Sequence, residues 1–335
     1  LSPLPLAVED VTPSWLSSAL GAEVAAVETT NVIRGTATKI LLRVQYAADG
    51  VHLPHRMCVK GGFVPELLAI MAPGYQDEAR FYRDIAPRFG AVLPQCWYAG
   101  VDEETGQGIV VLEDLAAAGV HFCDAREPLR LSQVFDGLRL LAALHDTASD
   151  ADWLSSTPYF RPMVSGLLTP EHWDAHVDSL ALPEVAAVLA DRGRIVTAFE
   201  RLWAGEDVRP HSLIHGDANL TNVCLDADGT PSFVDWQFVC RGDAAHDVAL
   251  FVIGALTIED RRAHERALLQ EYLKLRGEAA EDETTFWNAY RAHAIHGACY
   301  ALTPDAMQPA PIRSALAQRF ATAMLDLDTL DLLVP

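Results

Sequence analysis

Residues 39–46 alternate strictly, with Ile40, Leu42, Val44 and Tyr46 on one face and Leu41, Arg43 and Gln45 on the other. That is the period-two signature of a half-buried strand. A second strand is expected over His55–Lys60, stopped by Gly61-Gly62, and two more near Gln95–Gly100 and Gly108–Glu113, flanking the turn-rich Asp102–Gln107. Thr12-Pro13 reads as a helix N-cap and first-turn proline, opening a short helix to Leu20. From Tyr75 to Phe89 the period changes to helical, with Glu78, Phe81, Tyr82 and Ile85 on one side. The first third is therefore expected to be a mostly antiparallel sheet with one prominent helix. Beyond Leu115 helical patterns dominate, at about 131–146, 184–204, 243–256, 259–276, 283–302 and 312–331, with Gly277 as a helix stop. A compact β interruption is expected at 212–238, folded back at Asp228-Gly229. The segment 115–121 has linker composition, which places a boundary between domains 1–115 and 116–335.

Composition narrows the class. The chain has 335 residues, half of them hydrophobic, enough for about two domains or one two-lobed domain with a large core. The longest apolar run, Val248–Ile258, is too short to span a bilayer, and Leu1–Val8 lacks the pattern of a secretory leader. No membrane partner is expected. The net charge of −21 repels phosphate backbones, so no nucleic-acid partner is expected either. Six scattered cysteines, none in a C-x-x-C pair, read as reduced thiols of a cytoplasmic protein. Oligomeric state is not legible.

The stretch with chemistry runs from Leu213 to Val223, with His215-Gly216-Asp217 and Asn222, and continues at Phe233-Val234-Asp235-Trp236. It sets two Asp and one Asn at the ends of short apolar strands. Asp217 and Asn222, five apart across a tight loop, can converge on one point, and Asp235 returns to the same edge after the hairpin. Oxygen donors from Asn222 and Asp235 suit Mg²⁺, which takes few protein ligands and completes its shell with water and phosphate. A carboxylate left off the metal, Asp217, can orient a hydroxyl and accept its proton. H-x-D-x-x-x-x-N arises by chance on the order of once in a hundred chains of this composition. A polar loop capped by Asx turns is the alternative. Lys60 is one of only three lysines beside 22 arginines, and it ends the apolar strand Met57-Cys58-Val59. A long cation is otherwise unwelcome there, and a strand-end lysine snorkelling to water is the alternative to a functional one.

His215-Gly216-Asp217 with Asn222, then Asp235-Trp236-Gln237, resembles the catalytic loop and metal-binding Asp of the aminoglycoside phosphotransferase and choline kinase-like group, to which ecdysteroid kinase-like proteins are related. The stretch from Glu78 to Pro87 looks like that group's N-lobe helix, Val110–Leu115 like its hinge strand, and Arg241–Phe251 like the segment after its metal Asp. The resemblance implies an α+β, bilobal protein kinase-like fold, with a small antiparallel-sheet N-lobe that binds nucleotide and a large helical C-lobe. It also implies ATP and Mg²⁺ as cofactors, a small-molecule alcohol as acceptor, and an active site in the cleft. Asp217 would be the base, Asn222 and Asp235 the Mg²⁺ ligands, and Lys60 the phosphate-binding lysine, with Glu78 as its ion-pair partner. Asp247 would help brace the catalytic loop. Backbone groups near Glu113 and Leu115 would hold adenine. Gly35 and Thr36, in Arg34–Thr38, would cover the phosphates, although a plain hairpin turn explains that segment as well.

Departures from protein kinases bear on the acceptor. The loop reads His-Gly-Asp, Asp235 is followed by Trp-Gln, and no Ala-Pro-Glu follows, which argues for a small molecule over a protein. The helix around Phe286–Thr303, with Trp287, Tyr290, Ile295, Ala298, Tyr300 and Leu302, tilts the expectation toward an apolar or amphipathic alcohol. An aminoglycoside, which needs a dense carboxylate cluster, is the alternative, and a catalytically silent nucleotide-binding regulator is another. His172 and His176 have helical i, i+4 spacing but lack the H-E-x-x-H glutamate. His293 and His296 read as polar residues of the core or a groove.

Overall fold

The computed structural model describes residues 3–48, 52–89, 94–148, 151–155, 160–277, 281–305 and 307–335. Two compact units are present, one comprising Leu1–His121 with Val234–Val239, the other Phe122–Phe233 with Cys240–Pro335.

The first unit is built on a five-stranded sheet of order β1-β2-β3-β5-β4. Its strands are β1 (Val24–Ile33), β2 (Thr38–Tyr46), β3 (Arg56–Gly61), β4 (Cys96–Asp102) and β5 (Gln107–Glu113), and all its pairings are antiparallel. Ile40, Leu42 and Val44 of β2 face one core with Met57 and Val59 of β3 and Ile109 and Val111 of β5. Helix α1 (Pro13–Leu20) closes that core with Trp15 and Leu16. Its N-cap Thr12 accepts from the Trp15 amide, and Gly21 ends it at φ +65°, where a side chain would be strained. The strand β1 was not legible in sequence, because its burial pattern is mostly exposed and gives no clean alternation.

The helix expected at 75–89 begins ten residues earlier. Helix α2 runs Pro65–Arg80, passes through a π-helical turn at Phe81–Ile85, and ends in α3 (Ala86–Phe89). Pro65 suits a first turn, where its missing N–H is no loss. Pro73 lies inside α2, which continues through it.

The second unit is mainly helical. Its centre is the helix Ala244–Ala255, in which every residue is buried. Helix α4 (Leu131–His145) lies against it so closely that a Cβ on Gly137 would sit 2.3 Å from the Phe251 ring. Ala310–Asp326 packs on the same central helix and on Gly297–Leu302. Three long helical expectations are broken in the structure. The stretch 184–204 divides into Pro183–Val188 and Arg192–Glu206, where Asp191 caps a new start. A 3₁₀ turn, Ala294–His296, interrupts 283–302, and 312–331 breaks after Asp326, with Asp328 at φ +51°. The hairpin turning at Asp228-Gly229 joins Val223–Leu225 to Pro231–Phe233, with Val223 opposite Phe233. Among the described residues no helix is long and apolar enough to cross a membrane. None of the six cysteines is in a disulfide, and burial pushes the thiols of Cys58 and Cys224 up to about 11 and those of Cys96, Cys123 and Cys299 up to about 12.

Candidate functional site

In the first unit the chemistry gathers on Lys60. Its place in β3 lies between Lys39 of β2 and Val110 of β5, and only 3% of it is exposed. Such a burial is tolerable only for a paired ammonium. Lys60 Nζ donates to Glu78 Oε1 at 2.7 Å and to Asp235 Oδ1 at 2.8 Å. Burial alone would pull the ammonium's pKa down, but Asp235 and then Glu78 outweigh it, so the pKa is raised. Glu78 is a buried residue of α2 and also accepts from the Trp236 amide at 3.1 Å. The Trp236 ring stacks on Phe81 at 4.0 Å and meets Phe89 edge-on. Aromatic packing from the π turn thereby fixes the backbone beside Asp235. Asp235 itself sits at φ +71°, a left-handed conformation that is uncommon for any residue other than glycine.

Gly35 and Thr36 lie exposed in the connection between β1 and β2, where the Tyr75 hydroxyl of α2 donates to the Thr36 carbonyl. Glu113 ends β5, and its amide donates to the Gln95 carbonyl at 2.9 Å. The Leu115 carbonyl accepts from the Val120 amide at 3.0 Å.

In the second unit the strand Ser212–Ile214 leads into fully buried His215 and then Gly216 at φ +79°. This sharp turn presents Asp217. Asn222 Nδ2 donates to Asp217 Oδ2 at 2.8 Å and to the Asp217 carbonyl at 2.9 Å, and Asn219 Nδ2 donates to Asp217 Oδ1 at 2.7 Å. Asp217 and Asn222 are thus brought into direct contact. Asn219 also caps the following turn by accepting from the Thr221 amide at 2.9 Å.

Behind the loop stands Asp247, completely buried in the central helix. Its Oδ2 accepts from the His215 amide at 2.6 Å, and its Oδ1 from the Gly216 amide at 2.9 Å. His145 Nε2 lies 3.1 Å from Oδ2, and His145 Nδ1 lies 2.6 Å from the Tyr272 hydroxyl. Burial lowers the pKa of His145, which keeps the ring neutral, with Nε2–H donating to Asp247 and Nδ1 accepting from Tyr272. Burial would raise the pKa of Asp247, but the bond from His145 and the nearby imidazoles outweigh it and hold it low. His246 Nε2 completes the brace at 3.0 Å from the Gly216 carbonyl.

Asn219, His145, Tyr272 and His246 were not singled out from the sequence. Asn219 had a signal, since Asn before a short polar turn is an Asx cap. His145 had none, because its partner is 102 residues away. Of the proposed acceptor-facing set, Tyr290, Ile295, Ala298 and Leu302 are core residues. Trp287 stacks on Tyr290 and lies under the Arg266 guanidinium at 3.5 Å. Tyr300 alone of that set is coupled to the loop: burial pushes its hydroxyl well up, and the Asp217 carboxylate adds to the rise. His172 and His176 stack on each other, and each ring bonds to a backbone carbonyl, those of Leu302 and His172 respectively.

The family model of a phosphotransferase enzyme family, APH, matches residues 63–286. Homoserine kinase from Neisseria meningitidis serogroup B is 32% identical over 89 residues, a stretch spanning 26% of this chain and 29% of that protein. The fold is similar to that of choline kinase LicA from Streptococcus pneumoniae, at TM-score 0.53 and 15% identity, covering 95% of this chain and 99% of that one. It is also similar to a Plasmodium vivax ethanolamine kinase, at TM-score 0.52 and 11% identity, covering 90% and 82%. The architecture is thus the α+β, two-lobed fold of the small-molecule kinases, with an antiparallel-sheet lobe and a helical lobe.

Proposed function

We propose, from the premise that this chain belongs to the phosphotransferase enzyme family, that it transfers the terminal phosphoryl group of ATP to a hydroxyl of a small molecule. The observation that carries this reading is the braced loop. Asp217 is held by two side-chain amides, while the backbone before it hangs on a buried carboxylate. A loop built this way keeps a carboxylate oriented without neutralising it, which is what a base acting on an acceptor hydroxyl needs. The acceptor oxygen attacks the terminal phosphorus, its proton passes to Asp217, and ADP departs with the electrons of the broken P–O bond.

Lys60 is the group in the first unit suited to the phosphates of ATP. Glu78 and Asp235 keep it charged, and Glu78 keeps it from swinging away. With the Glu113 amide and the Leu115 carbonyl already taken, adenine contacts at these residues fall to the Glu113 carbonyl and the Leu115 amide. Gly35 and Thr36 are assigned to covering the phosphates.

The donor set fits Mg²⁺. Asn222 spends its amide nitrogen on Asp217, so its carbonyl oxygen is the atom left to offer, and Asp235 adds a carboxylate on a backbone twist that proteins rarely adopt without a reason. Mg²⁺, when bound, would neutralise phosphate charge as the transfer proceeds.

The acceptor is a small alcohol. The apolar preference loses its footing once Tyr290, Ile295, Ala298 and Leu302 prove to be core, so amino alcohols of the kind named by the relatives come first. ADP release should be measured with homoserine, choline, ethanolamine, an aminoglycoside and apolar alcohols, each with and without Mg²⁺. The proposal expects Mg²⁺-dependent release stimulated by at least one alcohol. Failure of every alcohol to stimulate release, together with no calorimetric binding of Mg·ATP, would overturn it.

A further inference from the structure

Four side chains of the second unit converge on one point that the phosphotransfer reading does not use. Glu206 ends the helix Arg192–Glu206, His246 stands in the first turn of the central helix, and His293 precedes and His296 ends the 3₁₀ turn at Ala294–His296. One ligand-type atom from each lies within 4.8 Å of all the others, and no residue of the four is more than 5% exposed.

The ring nitrogens argue further. His246 Nε2 is taken by the Gly216 carbonyl and His293 Nε2 by Asp243 Oδ2 at 3.3 Å, so each of these nitrogens carries the proton. That leaves His246 Nδ1 as a lone pair, buried without a hydrogen-bond partner, as are His293 Nδ1 and His296 Nε2. Glu206 gives Oε2 to Arg161 at 2.7 Å and turns Oε1 toward His293 Nδ1, 3.6 Å away. Three unpartnered imidazole nitrogens together are costly in a folded core unless something engages them. An imidazole whose far N–H is held by a carboxylate or a carbonyl is also the usual arrangement of a histidine ligand to zinc. Phe160 stacks on His246 at 4.6 Å and meets His296 edge-on, sealing the cluster with apolar surface.

We propose that Glu206, His246, His293 and His296 form a closed structural site for a divalent transition metal of the zinc class. Three nitrogens and one carboxylate oxygen satisfy the tetrahedral preference of Zn²⁺ without an open position for water. Ligand atoms in such a site stand about 3.3 Å apart, so the cluster tightens by about an ångström when the ion enters. The ion would staple three helical elements. Through the hydrogen bond from His246 to Gly216 it would also stiffen the turn that presents Asp217. With no exposed ligand, loading belongs to folding.

The test uses the untagged full chain. Elemental analysis after dialysis against chelator-treated buffer should find about one zinc per chain, and Glu206→Gln and His296→Gln should each lose most of it. His172→Gln and Asp217→Asn should keep it, and the latter separates this site from the fate of the phosphotransfer proposal. Should the ligand variants fail to fold, the wild-type chain decides alone. After the metal is stripped, zinc at a hundredfold excess over Kd should raise the midpoint of thermal unfolding by ~5–10 °C. Cobalt(II) in its place should show the intense visible bands of a tetrahedral centre. Metal-free protein that neither shifts with zinc nor perturbs the cobalt spectrum overturns the proposal, as does stoichiometric zinc that persists in a folded Glu206→Gln/His296→Gln double variant.

Discussion

Asp247→Asn is the substitution that most directly tests how the loop is held. The side chain keeps its size, so packing in the central helix is unchanged and the effect is electrostatic and directional. Asp247 accepts three hydrogen bonds, from the amides of His215 and Gly216 and from His145. Oδ2 takes two of them and Oδ1 the third. An asparagine has one acceptor and one donor end, so either orientation turns its NH₂ toward at least one backbone N–H. Flipping His145 to its other tautomer relieves the contact with the ring but not the contact with the peptide. The variant therefore leaves at least one buried amide without an acceptor and replaces charge-assisted bonds with neutral ones. At about 1–3 kcal/mol for the orphaned donor and about 1.5–3 kcal/mol for the lost charged bonds, we expect about 3–5 kcal/mol of destabilisation. Calorimetry should show a fall of at least about 6 °C in the midpoint for a unit of this size. Turnover should fall as well, because Asp217 follows directly on the two amides that come loose. His145→Gln, which removes only one of the three donors, should cost less. A shift under about 2 °C for Asp247→Asn, with turnover intact, would refute the view that this carboxylate holds the loop.

Asp217→Asn should lower turnover by about 10²–10⁴ while leaving Mg·ATP binding largely intact by calorimetry, since it removes the base and no assigned metal ligand; loss of nucleotide binding as well would show that the roles are divided wrongly. Asp235→Ala should abolish Mg²⁺-dependent ATP binding, and Asn222→Ala should weaken it less because an amide carries no charge; equal tolerance of both in a thermal-shift titration with Mg·ATP would sink the assignment. Acidification should destabilise the second unit through His145 before Asp247 titrates. His145 is neutral when folded, and its unfolded pKa is about 6.5, so the unfolded chain binds the extra proton and stability is lost as pH falls below that value. Asp247, held low, adds its own loss only below about pH 4. Thermal midpoints in EDTA should be level between pH 7 and 8 and decline from about pH 6.5 downward, and a midpoint that rises between pH 7 and 5 contradicts this.

What the sequence determined on its own was local. Thr12-Pro13 caps a helix because an N-cap and its first turn span four residues. Residues 38–46 form a strand because alternation is visible in any window of eight, and Asp228-Gly229 turns a hairpin because its geometry needs only those residues. His215-Gly216-Asp217 with Asn222 stood out for the same reason, since donors and carboxylate belong to one loop. The pairing of Lys60 with Glu78 was open to the sequence only through resemblance, and its pairing with Asp235 was not foreseen, because the partners stand 18 and 175 residues from the lysine. Helix limits failed at Pro73, which lies inside α2, and at the 3₁₀ turn that sets His293 and His296 on one side. The brace of His145 and Asp247, and the convergence of Glu206, His246, His293 and His296, belong to the tertiary structure alone. Each of these side chains sits in a helix or turn whose own pattern is satisfied without it. Only the packing of those helices brings their polar atoms within reach of one another, and no spacing along the chain encodes that distance.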